Sequence, residues 1–464
     1  MRASLASSIA VACAAALALP VTLAAPATAT ARPAAAAVPP ERDELPGSTQ
    51  SLPLRPLGAS VRSFGTDPGA AAEQGLTRRD VRPFSLVGVV WDDPAAPLHG
   101  TVQVRTRATA DGTWSPWQDV ETHQEEHGAD PGTAEAARGL RGSTAPLWVG
   151  DSDGVEIRVR AEERTAEERT AEDGTAGADA AEHGHGTAEA RTAPLPAGLR
   201  LELVDPGEAP ADPAPAPGTR AMAPPAVLTE AETATPGTRP PGTRLPEAEA
   251  GAALPAAAKK KPYIGPRPKI ITRKGWGADE SIREKKFVYT KTIKTAFVHH
   301  SATGNNYTCR QAPSVLRGIY RYHVKSSGWR DFGYNFAVDK CGNIYEGRAG
   351  GVTKPVLGAH TLGFNTNSMG IAVLGTFTST TPPAAVVTAV ARLTAWKLGL
   401  HGVDPKGTQT LVSGGGNLYK KGRKVTFRAI AGHRDGFATE CPGARLYGKL
   451  GTARASSAKY QGRS

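Results

Sequence analysis

Two regions of the chain carry the apolar patterns that indicate folded structure. In the first, residues 101–107 and 155–160 alternate between apolar and polar side chains, and residues 84–91 and 199–204 are further strand-like runs. Period-two alternation is typical of strands with one buried face, and turn residues such as Asp111-Gly112 separate the runs. The pattern predicts a small β-sandwich-like domain over residues 81–205, interrupted by a low-complexity acidic insertion at residues 161–195.

The second region mixes strand-like and helix-like patterns. Leu316, Ile319 and His323 recur at helical spacing, and a second helical pattern covers residues 384–398. Apolar runs that indicate buried strands lie at residues 293–298, 334–338, 344–345 and 370–374. Strands and helices that alternate along the chain predict an α/β domain over residues 266–455, with a mixed central sheet flanked by helices.

The segments outside these regions predict an export signal and linkers. Arg2 precedes an apolar run at residues 5–25, and Ala27-Thr28-Ala29 offers a small-residue cleavage site. This pattern predicts a secretory signal peptide over residues 1–29, with an N-terminal membrane anchor as the alternative. Residues 30–80 are expected to be a disordered linker, residues 206–265 a second linker rich in Pro, Ala and Thr, and residues 456–464 a tail. The protein is therefore expected to be secreted and to reach the cell wall, with no stable membrane span.

Charge divides the chain in two. Residues 266–464 carry 31 Lys and Arg against 9 Asp and Glu, a net charge of +22, and the rest of the chain has a net charge of −11. The two parts therefore meet different partners, or each other. A basic domain suits nucleic acid, an anionic membrane surface or an anionic wall polymer, or it is simply a solvated basic face. No helix-turn-helix, zinc-finger or RNP pattern supports nucleic acid.

Three side chains have the chemistry of a catalytic metal site. His299 follows the predicted strand at residues 293–298, and Cys441 comes eight residues after His433. A catalytic zinc takes three protein donors and keeps its fourth position for water. Each residue alone also fits an ordinary buried or surface role. Since Cys13 lies in the predicted signal peptide, an odd number of cysteines remains in the exported chain, which favours a separate role for Cys441.

Seven motifs in order make the C-terminal region similar to a known family. It resembles the peptidoglycan recognition proteins and the phage T7-type lysozyme, which are zinc N-acetylmuramoyl-L-alanine amidases. The motifs are Arg273 with Trp276-Gly277-Ala278, Val298-His299-His300-Ser301-Ala302, Gly328-Trp329-Arg330-Asp331-Phe332-Gly333-Tyr334-Asn335-Phe336, Ile344-Tyr345-Glu346-Gly347-Arg348, Gly358-Ala359-His360, Asn367-Ser368-Met369-Gly370-Ile371, and Gly432-His433-Arg434-Asp435 with Thr439-Glu440-Cys441-Pro442-Gly443.

The resemblance implies a zinc amidase. It makes His299, His433 and Cys441 the ligands of one Zn²⁺ ion, and Tyr334 and Thr439 catalytic residues that orient water or stabilise the oxyanion. His300 is not counted as a ligand. Members of the family that only bind the wall commonly lack the cysteine, so its presence favours activity. In one departure, the strand at residues 370–373 has no acid where related cytosolic amidases carry a glutamate base; Glu346 is the nearest motif carboxylate.

The resemblance also implies a substrate. Trp329 and Arg348 match positions that accompany binding of diaminopimelate-type stems, and a guanidinium can read the side-chain carboxylate that lysine-type stems lack. His360 and His323 are further candidate substrate contacts.

Cys309 and Cys341 are expected to form a disulfide, and the protein is expected to be monomeric. The alternatives to an amidase are a non-catalytic peptidoglycan-binding protein and a wall-anchored structural protein whose basic domain adheres.

Overall fold

An antiparallel sheet and a mixed sheet organise the residues that the computed structural model describes, which are 47–57, 72–122, 127–163, 193–208 and 263–464. The predicted signal peptide lies outside these residues, as do most of the predicted insertion and most of the second linker. Among the described helices, none is long and apolar enough to cross a membrane.

The N-terminal domain is built on eight antiparallel strands in the order β1-β8-β3-β7-β4-β5, with β2 and β6 paired to β3. Alternate residues such as Val102, Val104, Ile157 and Val159 point into its core. The strands are β1 Ser48–Pro53, β2 Arg55–Pro56, β3 Glu73–Trp91, β4 Gly100–Ala108, β5 Gln118–Val120, β6 Gly142–Ser143, β7 Leu147–Ala161 and β8 Arg200–Asp205.

The described strands of this domain form one hydrogen-bonded ladder, in which the long strands β3 and β7 stay paired through several register shifts. One expectation for this domain needs correction. The domain begins earlier than residue 81, since β1, β2 and the start of β3 lie in the predicted 30–80 linker. β1 has few apolar residues and is held by its ladder with β8, which a hydrophobic pattern does not reveal.

The C-terminal domain is an α/β domain with a mixed sheet, as expected, and the six strands of that sheet have the order β16-β10-β13-β11-β12-β9. Its strands are β9 Ile270–Ile271, β10 Thr295–His300, β11 Phe336–Val338, β12 Ile344–Glu346, β13 Ser368–Val373 and β16 Ile430–Gly432, and a separate hairpin pairs β14 Thr408–Val412 with β15 Lys424–Arg428. The helices are α1 Ala312–Arg321, α2 Ala384–Gly399, α3 Ala444–Tyr447 and α4 Leu450–Tyr460. A π-helical turn, Tyr322–Ser326, continues α1.

Helices cover both faces of this mixed sheet. Val386, Val390 and Leu393 of α2 pack with Leu450 of α4 on one face. The expected tail at residues 456–464 is wrong, because α4 runs to Tyr460 and the Gln461 side chain donates hydrogen bonds to the carbonyls of Ala395 and Val403. The small and polar residues of α4 hide its helical period from the sequence.

The two domains share a hydrophobic cluster. Leu86, Val90 and Val204 of the N-terminal sheet pack against α1, which covers the other face of the mixed sheet. The hydroxyl of Tyr322 lies 3.1 Å from the carbonyl oxygen of Val89. Gly88 permits this approach, because a Cβ there would lie 2.4 Å from the Tyr322 hydroxyl. The N-terminal domain is therefore packed directly on the domain that carries the predicted site.

Candidate metal centre

Parallel strands bring two histidines to one edge of the mixed sheet. β10 is parallel to β16, so the carboxyl ends of both strands lie together. His299 is near the end of β10, and His433 directly follows β16 at the start of a 3₁₀ turn, His433–Asp435. Their ring centroids are 4.4 Å apart. The Sγ atom of Cys441 lies 3.8 Å from Nδ1 of His299. The three residues predicted as ligands therefore converge.

A fourth donor comes from the N-terminal domain. The side chains of His127, His299, His433 and Cys441 are all buried, and one ligand atom from each lies within 4.8 Å of the others. In a tetrahedral zinc site with bonds of about 2.0–2.3 Å, donor atoms are about 3.3–3.8 Å apart. Three imidazoles and a thiol are zinc donors in both type and number, and a modest contraction would bring these atoms to coordination distance. The cluster is a candidate metal site.

Burial keeps the imidazoles of His299 and His127 neutral. It lowers the pKa of His299 well below its ordinary value, and the neighbouring His433 lowers it further. Burial and the charge of His300 lower the pKa of His127 to about 3. A neutral imidazole offers its lone pair to a metal, so both residues are in the protonation state that coordination requires. His300 lies outside this donor group, and its Nδ1 accepts a hydrogen bond from the Phe377 N–H at 3.4 Å.

The hydroxyl of Thr361 lies beside the cluster and contacts two buried histidines. Oγ1 of Thr361 lies 3.5 Å from Nε2 of His299 and 3.0 Å from Nδ1 of His360. His360, a predicted substrate contact, is fully buried under β13. Gly370 of that strand leaves room for it, since a Cβ there would lie 2.4 Å from Cγ of His360. Hydrogen-bond partners of this kind fix the orientation of a ligating imidazole. Sequence reasoning did not identify Thr361.

The two predicted catalytic residues lie at or beside the cluster. The ring centroid of Tyr334 is 5.2 Å from that of His299 and 5.6 Å from that of His127. Oγ1 of Thr439 accepts a hydrogen bond of 3.0 Å from the backbone N–H of Cys441. The phenol thus borders the donors, and the hydroxyl is held two residues from the thiol.

Glu346, the motif carboxylate, has a structural position. Its side chain accepts a hydrogen bond from the backbone N–H of Arg273, and its carbonyl accepts one from the Trp276 indole.

Arg348 already binds a carboxylate. Its Nη1 and Nη2 atoms donate to the two carboxylate oxygens of Glu135 at 2.8 and 2.9 Å, and its Nε donates to the Phe332 carbonyl at 2.7 Å. Both side chains of this ion pair are more than nine-tenths buried. Burial by itself would lower the pKa of Arg348, but the charge and hydrogen bonds of Glu135 more than offset it and raise that pKa.

Trp329 and His323 form a stacked pair beside the site. Their ring centroids are 4.3 Å apart, and Nδ1 of His323 accepts a hydrogen bond from the Gly333 N–H. A pocket of about 520 Å³ lies next to Trp329 and is also lined by His127, Trp91 and Leu362. One of the predicted substrate residues, Trp329, therefore lines a space that residues of the N-terminal domain partly enclose.

His127 and Glu135 were not identified from the sequence. Neither belongs to a motif or to a periodic segment, and both are contributed by a different domain. The one available signal was the opposite net charge of the two parts of the chain, which indicated that they could meet each other.

Two family models match the chain. Residues 33–185 match the model described as "Rv3811 N-terminal galactose-binding domain-like", and residues 289–444 match that of N-acetylmuramoyl-L-alanine amidase. The first match begins well before residue 81, in agreement with the early strands of the N-terminal sheet.

Curated proteins and a solved structure are similar to the C-terminal domain. Peptidoglycan-recognition protein SC2 of Drosophila melanogaster is 30% identical over 185 residues, which are 39% of this chain and 85% of the relative. A human N-acetylmuramoyl-L-alanine amidase is 30% identical over 189 residues, 40% of this chain and 28% of the relative. The structure of peptidoglycan recognition protein LE in complex with tracheal cytotoxin, a monomeric diaminopimelic acid-type peptidoglycan, is 29% identical over 39% of this chain and 92% of that one, with a TM-score of 0.32.

Proposed function

Because the chain belongs to the peptidoglycan recognition protein and type 2 amidase family, whose function is related to peptidoglycan, we propose that it is a zinc-dependent N-acetylmuramoyl-L-alanine amidase. It would hydrolyse the amide bond between N-acetylmuramic acid and L-alanine. The observation that carries the proposal is the convergence of His299, His433 and Cys441, three buried N and S donors, at one edge of the mixed sheet.

This donor set suits zinc. Two imidazoles and a thiolate are three N and S donors, which is the number and the type of ligand that a catalytic zinc site takes from the protein. When bound, Zn²⁺ supplies Lewis acidity toward the amide carbonyl and toward a water molecule. Thr361 is proposed as a positioning residue that holds the His299 ring through Nε2, leaving Nδ1 directed toward Cys441.

Tyr334 and Thr439 are proposed to act on the reacting amide. A phenol that borders the donors can donate a hydrogen bond to the carbonyl oxygen as negative charge develops there, which stabilises the transition state more than the substrate. The Thr439 hydroxyl, which accepts a hydrogen bond from the Cys441 N–H, is proposed to orient water.

Diaminopimelate-type stems are the proposed substrate class. The guanidinium of Arg348 is presented so that a carboxylate can accept two parallel hydrogen bonds, as that of Glu135 does. Trp329, His323 and His360 remain candidate substrate contacts. Arg348→Ala should lose more activity on diaminopimelate-type wall than on lysine-type wall, and equal losses on both would contradict this assignment.

Secretion and wall association are also proposed. The predicted signal peptide would export the chain, and the galactose-binding-like domain would help to hold it on the wall, where anionic polymers could contact the basic domain.

The test is the release of new amino termini. Zinc-loaded full-length chain is incubated with diaminopimelate-type peptidoglycan, and new L-alanine amino termini and unsubstituted lactyl groups are measured by mass spectrometry. We expect release that a chelator abolishes, that zinc restores, and that Cys441→Ser lacks. Binding without release, in the wild type and in the Glu135→Gln variant that loosens the carboxylate on Arg348, would indicate the alternative of a non-catalytic recognition protein.

A further inference from the structure

We propose that residues 127–141 of the N-terminal domain form an internal inhibitory segment that closes the amidase site. His127 provides a fourth donor to the metal cluster, and Glu135 occupies the position of the substrate carboxylate. The proposal rests on the proposed function of that site. It makes the chain, as folded here, a latent enzyme that works only after this segment has moved away.

The inhibitory segment crosses the site and is fixed at several points. The Asp130 carboxylate accepts hydrogen bonds from the Gly363 N–H at 2.9 Å and from the Asn365 amide at 2.6 Å. The same Asn365 amide donates to the carbonyl of Gly128 at 2.8 Å. Asn365 also accepts from the N–H of His360, so this anchor is attached to the support of the metal cluster.

The far end of the segment is fixed as well. Arg138 pairs with Glu284 at 2.7 Å, and the Arg141 N–H donates to the Ser327 carbonyl at 3.2 Å. Glu135 and its ion pair with Arg348 lie between these anchors. The segment contacts residues beside the metal cluster at one end of the predicted site and Arg348 at the other, so it covers the site along its length.

The fourth donor is what makes this cover inhibitory. Catalytic zinc sites have three protein ligands and an open position, whereas sites with four protein ligands are typically structural. Here three donors come from the amidase domain, and the fourth, His127, comes from another domain. Its ring centroid lies 4.6 Å from that of His433 and 5.2 Å from that of His299. Water and substrate can reach the open position only if His127 leaves.

Glu135 reproduces the other half of substrate recognition. A carboxylate bound through two hydrogen bonds to Arg348 is the contact expected of a diaminopimelate side chain. Glu135 makes that contact in a buried setting and also accepts a 3.4 Å hydrogen bond from the Arg330 N–H. An incoming stem peptide must therefore displace Glu135, so substrate binding and undocking of the segment are coupled.

The first experiment measures metal access without using activity. The full-length chain is loaded with Co²⁺, and its visible spectrum is recorded as azide is added. We expect the wild type to be insensitive to azide, and His127→Ala to respond and to bind Zn²⁺ at least about tenfold more weakly in a chelator competition. The matched control is His99→Ala, an exposed histidine of the same domain. An azide response in the wild type equal to that of His127→Ala would overturn the proposal.

The second experiment measures access to Arg348 in metal-free protein. Binding of a diaminopimelate-containing muropeptide is followed by calorimetry in the wild type, Glu135→Gln and the control Glu73→Gln, whose carboxylate pairs with Arg160 in the N-terminal domain. If the segment is docked more than about nine-tenths of the time, its release strengthens apparent binding by about tenfold or more. Unchanged binding in Glu135→Gln would refute the substrate-mimic role.

Activity separates failure of this inference from failure of the proposed function. In the double variant His127→Ala/Glu135→Gln we expect amide hydrolysis at least about tenfold faster than in the wild type. A wild type as fast as the double variant would leave an amidase and overturn the latency. A double variant that gains azide access and muropeptide binding but hydrolyses nothing would leave a covered recognition site and overturn the amidase. Loss of the folded state in His127→Ala alone, with Glu135→Gln binding unchanged, would identify a structural metal site and also overturn the latency.

Discussion

The ion pair between Glu135 and Arg348 provides a quantitative test of how the two domains are held together. Its side chains are 6% and 4% exposed, and its two hydrogen bonds join residues 213 positions apart. We consider Glu135→Met, Arg348→Met and the double variant. Each single change leaves one charge in a buried environment without its ionic partner.

The expected cost follows from the remaining contacts. Without Glu135, Arg348 retains hydrogen bonds to the carbonyls of Phe332 and Leu357 but no counter-charge at the Glu135 position. Breaking a buried pair from one side typically costs about 3–5 kcal/mol, whereas replacing both partners with apolar groups of similar size is often close to neutral. The coupling energy of the cycle should therefore be at least about 2 kcal/mol. The destabilisation caused by a single variant cannot exceed the free energy of undocking residues 127–141. Once this segment undocks, the unpaired charge of Arg348 or Glu135 is solvated by water again.

The assay combines urea unfolding of the three variants with hydrogen exchange of residues 127–141. A single-variant cost close to about 3–5 kcal/mol with a protected segment means that the segment stays docked. A smaller cost with fast exchange confined to that segment means that it opens locally. Additive single costs, with a coupling energy below about 0.5 kcal/mol and no change in exchange, would refute the reasoning.

Three further predictions concern the C-terminal domain. The disulfide between Cys309 and Cys341 spans 32 residues, so its removal by paired Ala substitutions should cost about 3.7 kcal/mol by loop entropy in urea unfolding, and a cost below about 1 kcal/mol would contradict that estimate. Burial lowers the pKa of Lys397 to about 7, so from about pH 7 to about pH 10 the unfolded chain keeps a proton that the folded chain has released. Stability should therefore rise with pH by up to about 1.4 kcal/mol per unit relative to Lys397→Met, and parallel pH curves for the two proteins would disprove this. Thr361→Val should weaken Zn²⁺ binding about 10- to 100-fold while Thr361→Ser retains it, because the hydroxyl and not the methyl group contacts His299.

The strands and helices of the C-terminal domain could be predicted because their apolar positions repeat locally. Residues 293–298 and 384–398 matched β10 and α2 closely. The missed elements lack such a signal. β1 is an edge strand of mainly polar residues, and α4 buries small side chains such as Ala453 and Ala458. Their stability comes from partners distant in the chain, which a local pattern cannot report.

The residues of the candidate site also fall into those that the sequence indicated and those that it did not. Donor type and predicted strand ends marked His299 and His433 as candidate ligands, and the odd number of cysteines marked Cys441, but only the resemblance to the family joined the three into one ligand set. The pairing of Cys309 with Cys341 was likewise expected, and the structure contains this disulfide.

By itself, the sequence determined which residues could bind a metal and which family's motifs surround them, because side-chain chemistry and local periodicity follow directly from the order of residue types. Only the tertiary structure decided that His127 and Glu135 lie on that site. Their positions depend on the packing of the N-terminal sheet against α1, a shared hydrophobic contact that fixes where residues 127–141 lie. The positions of His127 and Glu135 on the site arise only when the two domains pack together, so no repeating pattern in the sequence of either domain reveals them.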